Sequence, residues 1–156
     1  MKLYHGSNIE IDFIDLSKGR HGKDFGKGFY VNPDYSQAAL FSNVVVKREG
    51  FGSPIVNVFE FNEKALHLLD VKKFEGYTKE WAEFIIGNRG NSSVANIHNY
   101  DIVIGPIADD NVGTQIRRLS RGFISMEVFL NEIKFIKPSI QYFFGTVDSL
   151  KYLKKI

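Results

Sequence analysis

The sequence predicts an α+β domain: two small packed sheets, mixed or antiparallel, with short helices around them. Three observations carry this reading. Short runs rich in Phe, Tyr, Val and Ile recur as Phe29–Val31, Ile55–Phe61, Tyr100–Ile107 and Ile140–Phe144, each of strand length. The run Ile55-Val56-Asn57-Val58-Phe59-Glu60-Phe61 alternates with period two, as a half-buried antiparallel strand does. The helical patterns are few and short, and they do not alternate with strands as βαβ units require. A chain of 156 residues with 44% apolar and 24% charged residues makes one domain, residues 1–156, with a real hydrophobic core. Aromatic residues reach 14%, mostly phenylalanine, which favours sheet-rich packing and leaves rings to meet a ligand.

Lys2–Tyr4 reads as a short strand that delivers His5, Gly6 and Ser7 at its end. Ile9–Ile14 alternates loosely and continues as a loop or a strand. Ser17–Lys27 sets Lys18, Arg20, His21 and Lys23 among three glycines, a polar loop that covers a ligand or simply meets solvent. Next, Gly26 and Gly28 lead into the strand Phe29-Tyr30-Val31, and Asn32, Pro33 and Asp34 break it. Glycine beside a strand marks a close approach to the backbone, here by a flat ring lying against Tyr30. Tyr35, Ala38, Ala39 and Phe41 then recur at helical spacing.

Val44–Lys47 and Ile55–Phe61 read as strands around a turn at Glu49–Pro54. Ala65–Val71 is a weaker strand or a linker. Thr78 caps a helix from Lys79 to about Gly87, with Trp81, Phe84 and Ile85 on one face. Asn88–Asn99 is loop-like, and Tyr100–Ile107 is a buried strand ending at Gly105 and Pro106, with Asp109 and Asp110 at its exit. Asn111–Leu119 and Ser125–Ile133 read as short helices, and Ile140–Phe144 as the last strand. Asp148–Lys155 is expected to be a terminal helix, its basic end suited to the helix dipole.

Composition excludes several classes. A net charge of +2, with no dense basic cluster before Lys151–Lys155, argues against a dedicated nucleic-acid binder. The absence of cysteine excludes disulfides and thiolate zinc sites, and the four scattered histidines lack metal-ligand spacing, so no metal is implied. No leader-like apolar run opens the chain, and no segment approaches the ~20 apolar residues of a membrane span. A soluble, cytoplasmic protein without membrane contact is expected. There is no phosphate loop of the GxxxxGK[ST] kind, no HExxH and no GxSxG; the glycines of Gly22–Gly28 precede a strand, whereas those of a dinucleotide fingerprint follow one.

Two motifs carry a resemblance. His5-Gly6-Ser7 follows an apolar strand, and Gly26-Lys27-Gly28-Phe29-Tyr30-Val31 comes about twenty residues later and leads into a helix. This order resembles the ADP-ribosyltransferase superfamily, in particular its His-Tyr-Glu branch of diphtheria-toxin-like and poly(ADP-ribose)-polymerase-like domains. More closely, the chain resembles a bacterial family of unknown function called DUF3990, placed in that superfamily. The segments LYHGS, DFGKGFYV, EWAEFIIGNR, YDIVIGPIADD and QYFFGT carry the likeness in order over nearly the full length.

The resemblance implies a fold of two packed sheets around an NAD cleft, with NAD as substrate. The catalytic positions would be His5, Tyr30 and Gln141. His5 would hydrogen-bond a ribose hydroxyl, Gly6 would hold the nicotinamide amide through its backbone, and Ser7 would support that turn. Tyr30 and Phe41 would stack on the nicotinamide. Arg20, Asp24, Phe25, Gly28, Asn88 and Arg89 complete the NAD-binding set, with the Arg89 guanidinium suited to the pyrophosphate. Asp109 and Asp110 would face the acceptor or act as a base.

Two positions depart from the branch. Gln141 stands where a glutamate normally steadies the oxocarbenium-like state; it keeps a hydrogen bond but supplies no charge. Asp24, Asp109, Asp110 or Glu127 would then replace the carboxylate, or the domain binds NAD without turnover. Ala38 stands where polymerase-like members often carry serine, which points to single-unit transfer. The expected function is therefore mono-ADP-ribosylation of a protein or nucleic acid, in a bacterial toxin or phage-defence setting, with a neutralising partner. The alternatives are an NAD glycohydrolase and a catalytically silent NAD- or nucleotide-binding module.

Overall fold

In the computed structural model, which describes residues 1–156, seven strands form two sheets and six α-helices surround them. The strands are β1 (Lys2–Ser7), β2 (Phe29–Val31), β3 (Ile55–Phe61), β4 (Val71–Lys73), β5 (Ile102–Pro106), β6 (Ile140–Phe144) and β7 (Leu153–Lys155). The helices are α1 (Tyr35–Glu49), α2 (Ala65–Leu68), α3 (Lys79–Arg89), α4 (Asp110–Ser120), α5 (Met126–Ile133) and α6 (Val147–Leu150). The first sheet has the order β1-β3-β7 and is antiparallel; the second, β2-β6-β5-β4, is mixed because β4 runs parallel to β5. The expected α+β class with two small sheets is what the chain adopts. No helix is long and apolar enough to cross a membrane.

Alternation along the strands builds two cores. Leu3, Phe59 and Phe61 of the first sheet meet Val31, Ile102, Ile104 and Phe144 of the second. On the far face of the second sheet, Val103 and Phe143 pack under α3, α4 and α5 through Trp81, Ile85, Val112, Ile116, Phe129 and Ile133. With both faces covered, every residue of β5 is buried, which accounts for its unbroken apolar run. Trp81 is fully buried, and its Nε1–H donates to the Pro106 carbonyl at 3.0 Å.

Two expectations are corrected. Val44–Lys47 is the end of α1 and not a strand: Ala38, Ser42 and Val45 lie one turn apart and pack the helix onto β1, and this contact outweighs the β preference of three consecutive valines. The terminal helix is only Val147–Leu150; the chain then runs back as β7 and extends the first sheet beside β3, where Phe61 pairs with Leu153. Ala65–Val71, left open between strand and linker, is a short helix followed by the start of β4.

The two sheets meet at one bridge. Tyr4 and Asn32 exchange both backbone hydrogen bonds at 2.8 Å, and beyond that pair β1 and β2 splay apart.

Candidate functional site

A cleft of about 1050 Å³ opens where β1 and β2 separate. It is roofed by α1 and walled by the segment from Asn8 to Asp24. This volume lies at the upper end of the roughly 300–1,000 Å³ usual for small-molecule sites. His5, Gly6, Ser7, Arg20, Asp24, Gly28, Tyr30, Phe41, Arg89 and Gln141 all line it. The N-terminal stretch up to Phe41, Arg89 of α3 and Gln141 of β6 are distant in sequence, so the fold brings them together.

Gly6 is dictated by packing. A methyl there would collide with the Ala38 carbonyl of α1, so only glycine lets the helix lie on the strand. The crowding at Gly6 therefore comes from α1. The backbone of Gly6 remains relevant because of register. Met1 exchanges hydrogen bonds with Phe61, and Tyr4 exchanges them with Asn32. The antiparallel alternation therefore turns the N–H and C=O of Gly6 away from β3 and into the splay.

His5 stacks on Phe29, with ring centroids 4.4 Å apart. Its Nδ1 lies 2.7 Å from the Tyr30 carbonyl, which can only accept, so Nδ1 carries the proton and Nε2 presents a lone pair. Burial pushes the His5 pKa down to about 4, so the ring is neutral at physiological pH. Ser7 is buried and accepts weakly from the Ile9 N–H at 3.4 Å, which fixes the turn after β1.

The Tyr30 hydroxyl donates to the Gly26 carbonyl at 2.6 Å and accepts from the Phe25 N–H at 3.0 Å. Burial raises its pKa, so it stays protonated and serves to fix the ring. The ring edge meets Phe143 at 5.2 Å. Gly28 leaves room for the Phe143 ring, which any side chain there would strike. Phe41 projects from α1 and is 43% exposed, so one aromatic wall is still open. Gln141 is half-buried on β6, two residues before Phe143 and on the same face.

Several charges in the cleft are paired. Arg89 Nε donates to Asp24 Oδ1 at 2.7 Å. Glu49 takes Arg20 at 2.9 Å and Arg48 at 3.1 Å. Arg89 Nη2 and Arg117 Nη1 lie 3.9 and 3.7 Å from the point where a side chain on Gly113 would begin, so two guanidinium groups converge there. Lys23 reaches over the rings of both Tyr30 and Phe41, at 5.2 and 6.0 Å from their centroids.

Five expected residues do not reach the cleft. Phe25 is fully buried against Phe74 and Phe84, so it builds the wall from behind. Asn88 is 1% exposed, its Nδ2 donating to the Phe84 carbonyl within α3. Asp109 is the N-cap of α4, accepting from the Val112 N–H at 3.3 Å, and Asp110 is the exposed first residue of that helix. Glu127 sits exposed in the first turn of α5 and does not line the cleft. Conversely, Arg48, Glu49 and Arg117 line the cleft without having been singled out. The helical spacing of Phe41 to Arg48 signals a shared face of α1, but the strand expected at Val44–Lys47 hides it.

Among protein-family models, residues 1–155 match one described as a protein of unknown function (DUF3990). No curated protein and no solved structure matches the chain.

Proposed function

This chain belongs to the family described as a protein of unknown function (DUF3990), and we propose that its cleft binds NAD and transfers one ADP-ribose unit to a macromolecular acceptor. One observation carries the proposal: an aromatic face, a hydroxyl acceptor and an open backbone edge address the same cavity. A carboxamide offers an acceptor and a donor in one plane, the complement of the N–H and C=O that Gly6 turns into the splay. The flat ring bearing that carboxamide would rest on Tyr30, with Phe41 as a second wall. His5 Nε2 would take a hydrogen bond from a ribose hydroxyl. The converging guanidinium groups of Arg89 and Arg117 suit a pyrophosphate. These residue types, in the order noted above, support the likeness to ADP-ribosyltransferases of the His-Tyr-Glu branch.

Loss of nicotinamide leaves positive charge on the ribose, and enzymes that cleave such bonds normally set a carboxylate beside it. Gln141 can only hydrogen-bond there. The nearby carboxylates of Asp24 and Glu49 are engaged by arginines. This observation favours a second reading, an NAD-binding module without turnover. Release of nicotinamide from labelled NAD, with and without cell lysate, tests both. Release that needs lysate and leaves a macromolecular adduct supports transfer, and the lysate then holds the acceptor. Release without lysate, yielding free ADP-ribose, identifies a glycohydrolase. Binding with no release supports the silent module. Neither binding nor release at saturating NAD overturns the proposal. A bacterial toxin or defence role, with a neutralising partner, follows only if transfer to an acceptor is found.

A further inference from the structure

Three cations that line the cleft, Lys18, Lys23 and Arg117, form no ion pair, and of these Lys23 alone lies over aromatic rings. Arg20, Arg48 and Arg89 each meet a carboxylate, whereas the Lys23 ammonium lies over two aromatic rings. We infer that Lys23 is an internal competitor for the slot beside Tyr30 and Phe41, holding the place of a positively charged flat ring and leaving when such a ring enters. The inference rests on the NAD reading and adds a gate to it.

Three observations support it. Both contacts fall within the ~6 Å over which a ring face attracts a cation. The two ring faces therefore attract positive charge. The nicotinamide of oxidised NAD is an N-substituted pyridinium and carries that charge; the reduced ring is neutral. Second, the lysine is desolvated: burial, with Arg48 and Arg20 close by, lowers its pKa, while Asp24 acts in the opposite sense. A group held at that cost is displaced readily by a ligand that returns it to water. Third, its departure needs no rearrangement of the fold. The segment is fixed on either side of Lys23 by the Arg20–Glu49 and Asp24–Arg89 ion pairs and by the Tyr30 hydroxyl on Gly26. The four-carbon stem can swing out while those anchors stay.

The test has two arms. In the wild-type protein, acylation by a small amine reagent is followed by mass spectrometry. Lys23 should label more slowly than the exposed Lys79 and Lys151, and saturating NAD should speed its labelling. Separately, calorimetric titration compares wild type with Lys23→Ala. The variant should bind NAD about three- to tenfold more tightly, the fold-change of removing one cation–ring competitor, and discriminate more strongly against NADH. Labelling of free Lys23 as fast as Lys79, weaker NAD binding by the variant, or NAD binding that leaves Lys23 protected would each overturn the inference. If neither form binds NAD, the proposed function fails on its own account. The slot is then probed with 1-methylnicotinamide, the cationic ring alone. Its binding to Lys23→Ala, and more weakly to wild type, keeps the inference; no binding to either form ends it.

Discussion

His5 commits its Nδ1–H to a hydrogen bond with the Tyr30 carbonyl and is left with one lone pair to offer at Nε2, so its chemistry is that of an acceptor and not of an acid. Its depressed pKa makes the stability of the fold depend on pH in a stated direction. The unfolded chain takes up the proton at the ordinary histidine pKa of ~6.5, while the folded chain resists until about 4. Stability is therefore full above pH ~6.5 and declines as pH falls towards 4, by up to about 3 kcal/mol from this residue. His98, also lowered by burial, acts in the same direction. Thermal melts from pH 4 to pH 8 should show this slope in the wild type and a shallower one in His5→Gln; equal slopes would contradict the assignment. Tyr30 separates two roles that one residue name conceals. Tyr30→Phe removes the bridge between the Gly26 carbonyl and the Phe25 N–H and should cost about 2 kcal/mol in urea unfolding, while the ring, and with it NAD affinity, is retained. Gly26 and Gly28 were legible as markers of close approach, but the approaching groups are the Asn96 side chain and the Phe143 ring of the chain itself, which no local reading reveals.

At the scale of elements, local pattern identified what local physics decides. β3 announces itself by alternation, α3 by its Thr78 cap and β5 by an unbroken apolar run. The failures fall where a partner element decides. Three valines become helix because α1 must cover β1, and the basic tail becomes β7 because β3 offers a free edge. Asn57 shows how an element supports the cleft. It is 1% exposed, accepts from the Ile11 N–H at 2.8 Å and from Lys155 at 2.7 Å, and donates to the Ile9 carbonyl at 3.1 Å. Through it, β3 and β7 pin the segment that forms the cleft wall. Asn57→Ala should therefore destabilise the fold by about 2–3 kcal/mol and raise amide exchange at residues 9–11. A loss of stability with unchanged exchange there would show that the wall is held by other contacts.

At the scale of the molecule, the cleft is a product of two sheets that touch at Tyr4 and Asn32 and then part. The residues named from motifs at the two ends of the chain, His5, Gly6, Tyr30 and Gln141, do converge there, because strand ends are where a splay opens. The residues that complete the charge pattern, Arg48, Glu49 and Arg117, sit on helices whose orientation only the packed core fixes. Asp109 and Asp110 lie outside the cleft lining for the opposite reason: a strand exit followed by acidic residues reads equally well as a helix cap, and Asp109 is one. The central claim is that this cleft binds NAD through its aromatic slot and the open edge of β1. The most direct test is a titration of NAD followed by backbone amide chemical shifts, on the wild type and on Tyr30→Ala. The account predicts saturable shifts at Gly6, Tyr30 and Gln141 in the wild type, and affinity weakened at least tenfold in the variant. Unperturbed shifts at these positions, or equal affinity in the two proteins, would contradict it.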